Sequence, residues 1–235
     1  MAEHGWPRCI HLAGVDGTGK STQVKHLLAR MKADGVEPKS VWLRFPRLFS
    51  VPFLVYARLR GLSHREVVEG HEHGYWDFEN SWLMSHVFPW VLLLDSFLFA
   101  LVKVYVPLAM GRTLLCDRFV VDTLADLMAG IKREKFDQTL PGRLYLALLP
   151  RGTRVVVLDL PTELARERSP ELRGDRTHAQ RRAVYAGLAE RQGFPLVSTA
   201  APVETVAEQM VDVIKGSRAL AERRTEEVAA SSGSH

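Results

Sequence analysis

The sequence predicts an α/β fold: three layers, with a doubly wound, mostly parallel five-stranded sheet, a glycine-rich loop at one edge and a short arginine-rich lid. Three observations carry this. Apolar runs of strand length alternate with stretches of helical spacing. The run at 153–158 is valine-rich and unbroken, as a strand buried on both faces must be. And Gly14-Val15-Asp16-Gly17-Thr18-Gly19-Lys20-Ser21 stands between the first strand and the first helix.

Residues 9–13 form the first strand, and 21–32 place Val24, Leu27, Leu28 and Met31 at helical spacing. A second strand over 40–45 stops at Pro46, and 48–60 returns to a helical pattern. Residues 64–81 are polar, rich in His, Glu and Gly and without a sustained period, which predicts an exposed loop or lid. His71 and His73 in it read as solvated histidines rather than metal ligands, since no third ligand stands at a fixed spacing. Residues 112–116 are the third strand and 153–158 the fourth; 195–198 supply the fifth, and 202–214 a closing helix.

At 235 residues the chain has room for one domain, taken as 1–216, followed by a flexible tail over 217–235. Hydrophobic residues make up 46% and charged residues 25%, which excludes wholesale disorder. The net charge of +4 suits an anionic partner, but the basic residues are scattered and lack interleaved aromatics, so no nucleic acid is expected. Cys9 and Cys116 fall inside buried strands and read as packed free thiols, consistent with a reducing cytoplasm. The first eight residues lack a charged region followed by an apolar run, so a cytoplasmic location is expected. Residues 87–110 are almost wholly apolar, broken by Asp95 and Lys103 with Pro89 and Pro107 near the ends; they read as a buried or membrane-touching helix rather than a span.

The glycine-rich loop carries the chemistry. Backbone N–H groups wrap a phosphate only where side chains do not intrude, which explains Gly14, Gly17 and Gly19 at their spacing. Lys20 would reach the β- and γ-phosphate oxygens of a nucleoside triphosphate, and the Ser21 hydroxyl would take one position on magnesium. Asp117 and Arg118 follow directly on a buried strand and so emerge at the carboxyl edge, where such sheets bind ligands. Asp117 is the candidate for holding magnesium or orienting an acceptor, and Arg118 for clamping the acceptor phosphate. After the fourth strand, Arg166, Arg168, Arg173 and Arg176 surround Ser169-Pro170 and Gly174-Asp175, which reads as a mobile basic lid.

The loop extended through Thr22-Gln23, with Arg44-Phe45-Pro46, Asp117-Arg118-Phe119, Leu158-Asp159 and Arg182-Ala183-Val184-Tyr185, resembles the thymidylate kinases over roughly residues 9–216. The resemblance implies a P-loop nucleoside monophosphate kinase: ATP with Mg2+ as donor, a deoxynucleoside monophosphate as acceptor, dTMP to dTDP as the reaction, and a homodimer. By position, Gly14, Asp16, Gly17, Thr18, Gly19, Lys20, Ser21 and Thr22 would bind the donor. Asp16 would also approach the acceptor sugar, while Arg118 and Arg44 or Arg47 would hold its phosphate. Because Gly17 rather than arginine follows Asp16, the resemblance assigns the transition-state arginine to the lid, with Arg168 and Arg173 as candidates. The loop over 199–202 would hold the adenine.

This chain departs from the family in the acceptor half. Asp95-Ser96-Phe97-Leu98 stands where the family carries an Asn-Arg pair, Asp122 replaces a serine, and Asp126 replaces an aromatic. An alternative is therefore a kinase of the same fold with a different small-molecule acceptor, in peripheral contact with a membrane. A slow nucleotide switch is opposed by the sole asparagine, Asn80, lying outside any Asn/Thr-Lys-x-Asp element.

Overall fold

β1 (Cys9–Ala13) alternates its side chains between two packed faces. Ile10 and Leu12 meet Val24, Leu27 and Met31 of α1 (Lys20–Ala33) and Val206, Met210 and Ile214 of the last helix. Cys9 and Ala13 face the other way, into a core with Phe88, Leu92, Leu124 and Leu188. In this computed structural model, which describes residues 5–68 and 70–216, helices therefore cover both sides of one sheet. The tail expected over 217–235 lies outside the described residues.

After β2 (Lys39–Val41) and α2 (Val51–Leu59), the chain forms β3 (Ser63–Val68) and β4 (His71–Trp76), then the long α3 (Leu83–Ala109). β5 (Leu114–Asp117), α4 (Val120–Gly130) and α5 (Leu140–Ala147) follow. β6 (Arg154–Asp159), α6 (Thr162–Arg168), α7 (His178–Gln192), β7 (Leu196–Ser198) and α8 (Val203–Lys215) complete the order. The main sheet runs β2-β5-β1-β6-β7 with every pairing parallel. Neighbouring β1 and β5 end at the same carboxyl edge, which brings the loop after Ala13 beside Asp117 and Arg118.

Residues 64–81 differ from expectation. They hold an antiparallel hairpin, β3 on β4, whose register pairs Ser63 with Trp76 and Val68 with His71. Its alternation is hidden in the sequence because both faces carry polar residues; the inward positions are His73 and Tyr75. His73 is thus buried rather than solvated, and its Nε2 has no hydrogen-bond partner.

The helix expected over 87–110 is longer, 27 residues, and Pro89 and Pro107 lie inside it. Each proline follows a stretch of wider π-helical turn, 83–87 and 101–105, where the regular hydrogen-bond ladder is already interrupted and a missing N–H is tolerated. By length and composition α3 is apolar enough to cross a membrane, and 39% of its most apolar window is buried in the fold. Trp90, Leu94, Phe97, Leu101 and Val106 leave an exposed stripe at helical spacing. Asp95, on the opposite side, is fully buried and accepts the backbone N–H groups of Leu48, Phe49 and Ser50, each at 2.9 Å. That carboxylate fixes the turn leading into α2.

Candidate functional site

The loop from Gly14 to Lys20 is shaped by what cannot fit against it. Gly14 adopts φ 147°, and a Cβ there would lie 2.5 Å from the carbonyl oxygen of Leu158 on β6. Gly17, at φ 81°, lies under Leu172, whose Cδ1 would be 2.3 Å from a Cβ. Thr18 Oγ1 donates to Val15 O at 2.8 Å, and Lys20 Nζ donates to the same carbonyl at 2.5 Å. The lysine is buried behind the loop at the start of α1, where helix N–H groups and the positive dipole end converge. Burial first, and the nearby Arg118 next, push its pKa down to about 7, against the pull of Asp16 and Asp122.

Arg118, the residue after β5, sits at φ 73° with its side chain buried. Its guanidinium donates to Gly14 O at 2.9 Å, to Asp122 Oδ1 at 3.0 Å and to Asp16. Asp122 in turn accepts from Tyr185 Oη at 2.9 Å and from Phe119 N at 3.2 Å, and buried His11 lies 3.5 Å away. Burial raises the Asp122 pKa, but Arg118, His11, Lys20 and the Tyr185 hydrogen bond together outweigh it and hold the carboxyl below its usual range. Asp117 is half-buried and accepts no hydrogen bond among the described residues; burial pushes its pKa up, opposed by Arg118 and Lys20.

Asp16 joins two clefts. It pairs with Arg118, with Arg44 at 3.5 Å and with Arg181 at 3.6 Å, and together these cations hold its carboxyl low despite burial. On one side is a cleft of about 690 Å³ lined by the glycine loop, Ser21, Thr22, Arg168 and residues 199–203. On the other is a cleft of about 850 Å³ between Arg44, Arg47, Asp126 and the β3–β4 hairpin. Arg44 is bound bidentately by Asp126, Nε to Oδ2 at 2.7 Å and Nη2 to Oδ1 at 3.0 Å. Arg47 is exposed at this cleft's rim.

No protein-family model matches the chain, and a search of curated proteins found no significant match.

The structure brings Asp16, Gly17, Thr18, Gly19, Lys20, Ser21 and Thr22 together with Arg118 around one cleft, with Gly14 accepting from Arg118, and Arg44 and Arg47 around the other, which Arg44 links to Asp16. It rearranges the lid. Instead of reaching over the loop, Arg168 donates to the carbonyls of Thr199 at 2.7 Å and Ala200 at 3.1 Å. Arg173 is exposed and reaches neither cleft. Leu160, Ala165 and Leu172 form a small core that seats the segment on Gly17, with Arg168 lining the smaller cleft and Arg176 the larger.

Two residues at the site were not legible beforehand. Arg181 faces Asp16 from α7 and pairs more closely with Asp175. His178 is buried in the first turn of α7, with Nε2 2.9 Å from Asp16 O and Nδ1 3.2 Å from Thr162 Oγ1. Both depend on α7 crossing the sheet edge, which local spacing does not encode.

At the smaller cleft Ser21 and Thr22 present exposed hydroxyls and Lys20 donates to Val15 O; Asp117, half-buried next to Arg118 at the end of β5, is not in the cleft's lining but accepts no hydrogen bond among the described residues. Ser21 and Asp117 would hold a magnesium ion, which when bound neutralises charge on phosphate oxygens.

Proposed function

We propose that the chain is an ATP- and magnesium-dependent phosphotransferase of the P-loop kinase type. The observation that carries this reading is the loop itself: Gly14 and Gly17 at positive φ, Lys20 held behind them at a helix start, and Asp16 bridging to a second cleft. The donor's phosphates lie along the loop, with its base toward residues 199–202, where Arg168 fixes the carbonyls of Thr199 and Ala200. In transfer, an acceptor oxygen bonds to the γ-phosphorus, the bridging oxygen leaves on ADP with its electron pair, and the acceptor's proton passes to water. The protein supplies position and charge.

Resemblance implies a nucleoside monophosphate as acceptor, dTMP first. The bidentate Arg44–Asp126 pair favours the second reading, an acceptor of different chemistry in the same fold. The reading takes the chain to act in the cytoplasm as a homodimer through the α3 stripe, with a lipid surface as the competing occupant of that stripe.

The test is ADP release from ATP and Mg2+ across dTMP, dUMP, CMP, UMP, AMP, GMP and no acceptor, with Lys20→Ala as control. Activity that survives Lys20→Ala defeats the proposal. Stimulation by dTMP alone selects the thymidylate reading.

A further inference from the structure

On the phosphotransferase reading, on which this inference rests, the acceptor cleft should present free cations beside Asp16, where it meets the glycine loop. The guanidinium groups paired with Asp16 are instead committed to other carboxylates, and the exposed Arg47 and Arg58 of this cleft are not among them. Arg44 spends both its Nε and Nη2 donors on Asp126, which is 5% exposed. Arg118 is committed to Asp122, Asp16 and Gly14 O. Arg181 is committed to Asp175, with Asp16 at 3.6 Å. Three guanidinium groups thus face four carboxylates, and this wall is charge-saturated by the chain itself.

We infer that Asp126, supported by Asp122, fills the place of an acceptor phosphate and tunes the cleft to an uncharged hydroxyl compound with an apolar or aromatic body. A phosphomonoester entering here must take Arg44 from Asp126 and leave that carboxylate charged, buried and unpaired, which costs about two orders of magnitude in affinity. An alcohol meets no such barrier. Its body lies along Phe45, Tyr75 and Trp76, and its hydroxyls reach past Arg44 to the half-buried Asp16 carboxylate at the edge of the smaller cleft. Arg47 and Arg58 also line the cleft, but both are exposed and neither pairs with Asp16 as Arg44 does, so they draw a phosphate to the rim and not to the transfer point. The step remains balanced: the alcohol oxygen bonds to the γ-phosphorus, ADP leaves with the bridging oxygen's electron pair, and the hydroxyl proton goes to water.

The test is calorimetric titration of dTMP and of thymidine into the full chain saturated with a non-hydrolysable ATP analogue and Mg2+. It is repeated on Asp126→Asn and, should that variant unfold, on Asp126→Ser, with folding checked by the unfolding midpoint. The expected result is that dTMP binds the natural chain no more tightly than thymidine, and that freeing Arg44 strengthens dTMP at least about tenfold relative to thymidine. A natural chain that binds dTMP tenfold more tightly than thymidine overturns the inference. So does a folded Asp126 variant that gains nothing for dTMP relative to thymidine. Failure of the underlying reading shows separately, as no binding of the ATP analogue to the natural chain.

Discussion

The ammonium of Lys20 donates to the carbonyl of Val15 at 2.5 Å, so the loop's own backbone holds the charge that a phosphate would otherwise take. With the lysine pKa pushed down to about 7, the ligand-free protein carries Lys20 part-protonated at neutral pH. A bound triphosphate restores the full charge, so binding takes up a proton above that pH. ATP·Mg2+ affinity should be flat below about pH 7 and fall by up to about tenfold per unit above it. Titrations in buffers of different ionisation heat measure the uptake directly, and buffer-independent heats at pH 8 would contradict it.

The same shift has a stability sign. The unfolded value is 10.5 and the folded value about 7, so the unfolded chain binds more protons in between and the lysine costs stability at neutral pH. Lys20→Met should raise the ligand-free unfolding midpoint at pH 7 by a few degrees while abolishing ATP·Mg2+ binding. The difference should narrow as pH approaches 10.

Arg168 and Arg173 should separate cleanly. Arg168 holds the carbonyls of Thr199 and Ala200 beside the donor cleft, whereas Arg173 is exposed outside both clefts. Arg168→Ala should weaken the ATP analogue roughly tenfold, and Arg173→Ala should leave it within about twofold. Equal losses in a binding titration would return Arg173 to the site.

Asp95→Ala removes the acceptor for three backbone N–H groups in a buried turn. It should lower stability by roughly 2–4 kcal/mol in denaturant titration, with Asp95→Asn retaining part of the loss. Burial raises the Asp95 pKa, but the hydrogen bonds at Leu48, Phe49 and Ser50 outweigh it and hold it below the ordinary 3.8. Its contribution is therefore present above pH 4 and lost as pH falls below that value.

Much of this was legible in the sequence, for a definite reason. The glycine loop needs particular residues at consecutive positions, and the parallel strands need unbroken apolar runs, so local reading finds both. Asp117 and Arg118 were placed because strand β5 ends at them. The β3–β4 hairpin was missed because its buried His73 and Tyr75 are polar residues whose inward direction is set by docking elsewhere. Arg44 and Asp126 were each singled out, but their pairing across 82 residues of chain required the fold. Of the lid arginines, Arg168 lines the smaller cleft while Arg173 lies outside both, a difference set by how the segment packs on Leu172 and not by its spacing.

Gly174→Ala tests how the hairpin is held. A Cβ at Gly174 would lie 2.5 Å from Val68, and Tyr75 Oη donates to the Gly174 carbonyl at 3.3 Å. The variant should raise the rate of limited proteolysis within 63–76 several-fold with a small change in global stability.

That contact also bears on coupling. The hairpin roofs the larger cleft, the segment carrying Leu172 roofs Gly17 beside the smaller one, and Tyr75 with Arg176 and Glu66 fastens the two roofs together. The walls of the two clefts are thus mechanically joined, and on the proposed two-substrate reaction a ligand that shifts one wall would shift the other with it.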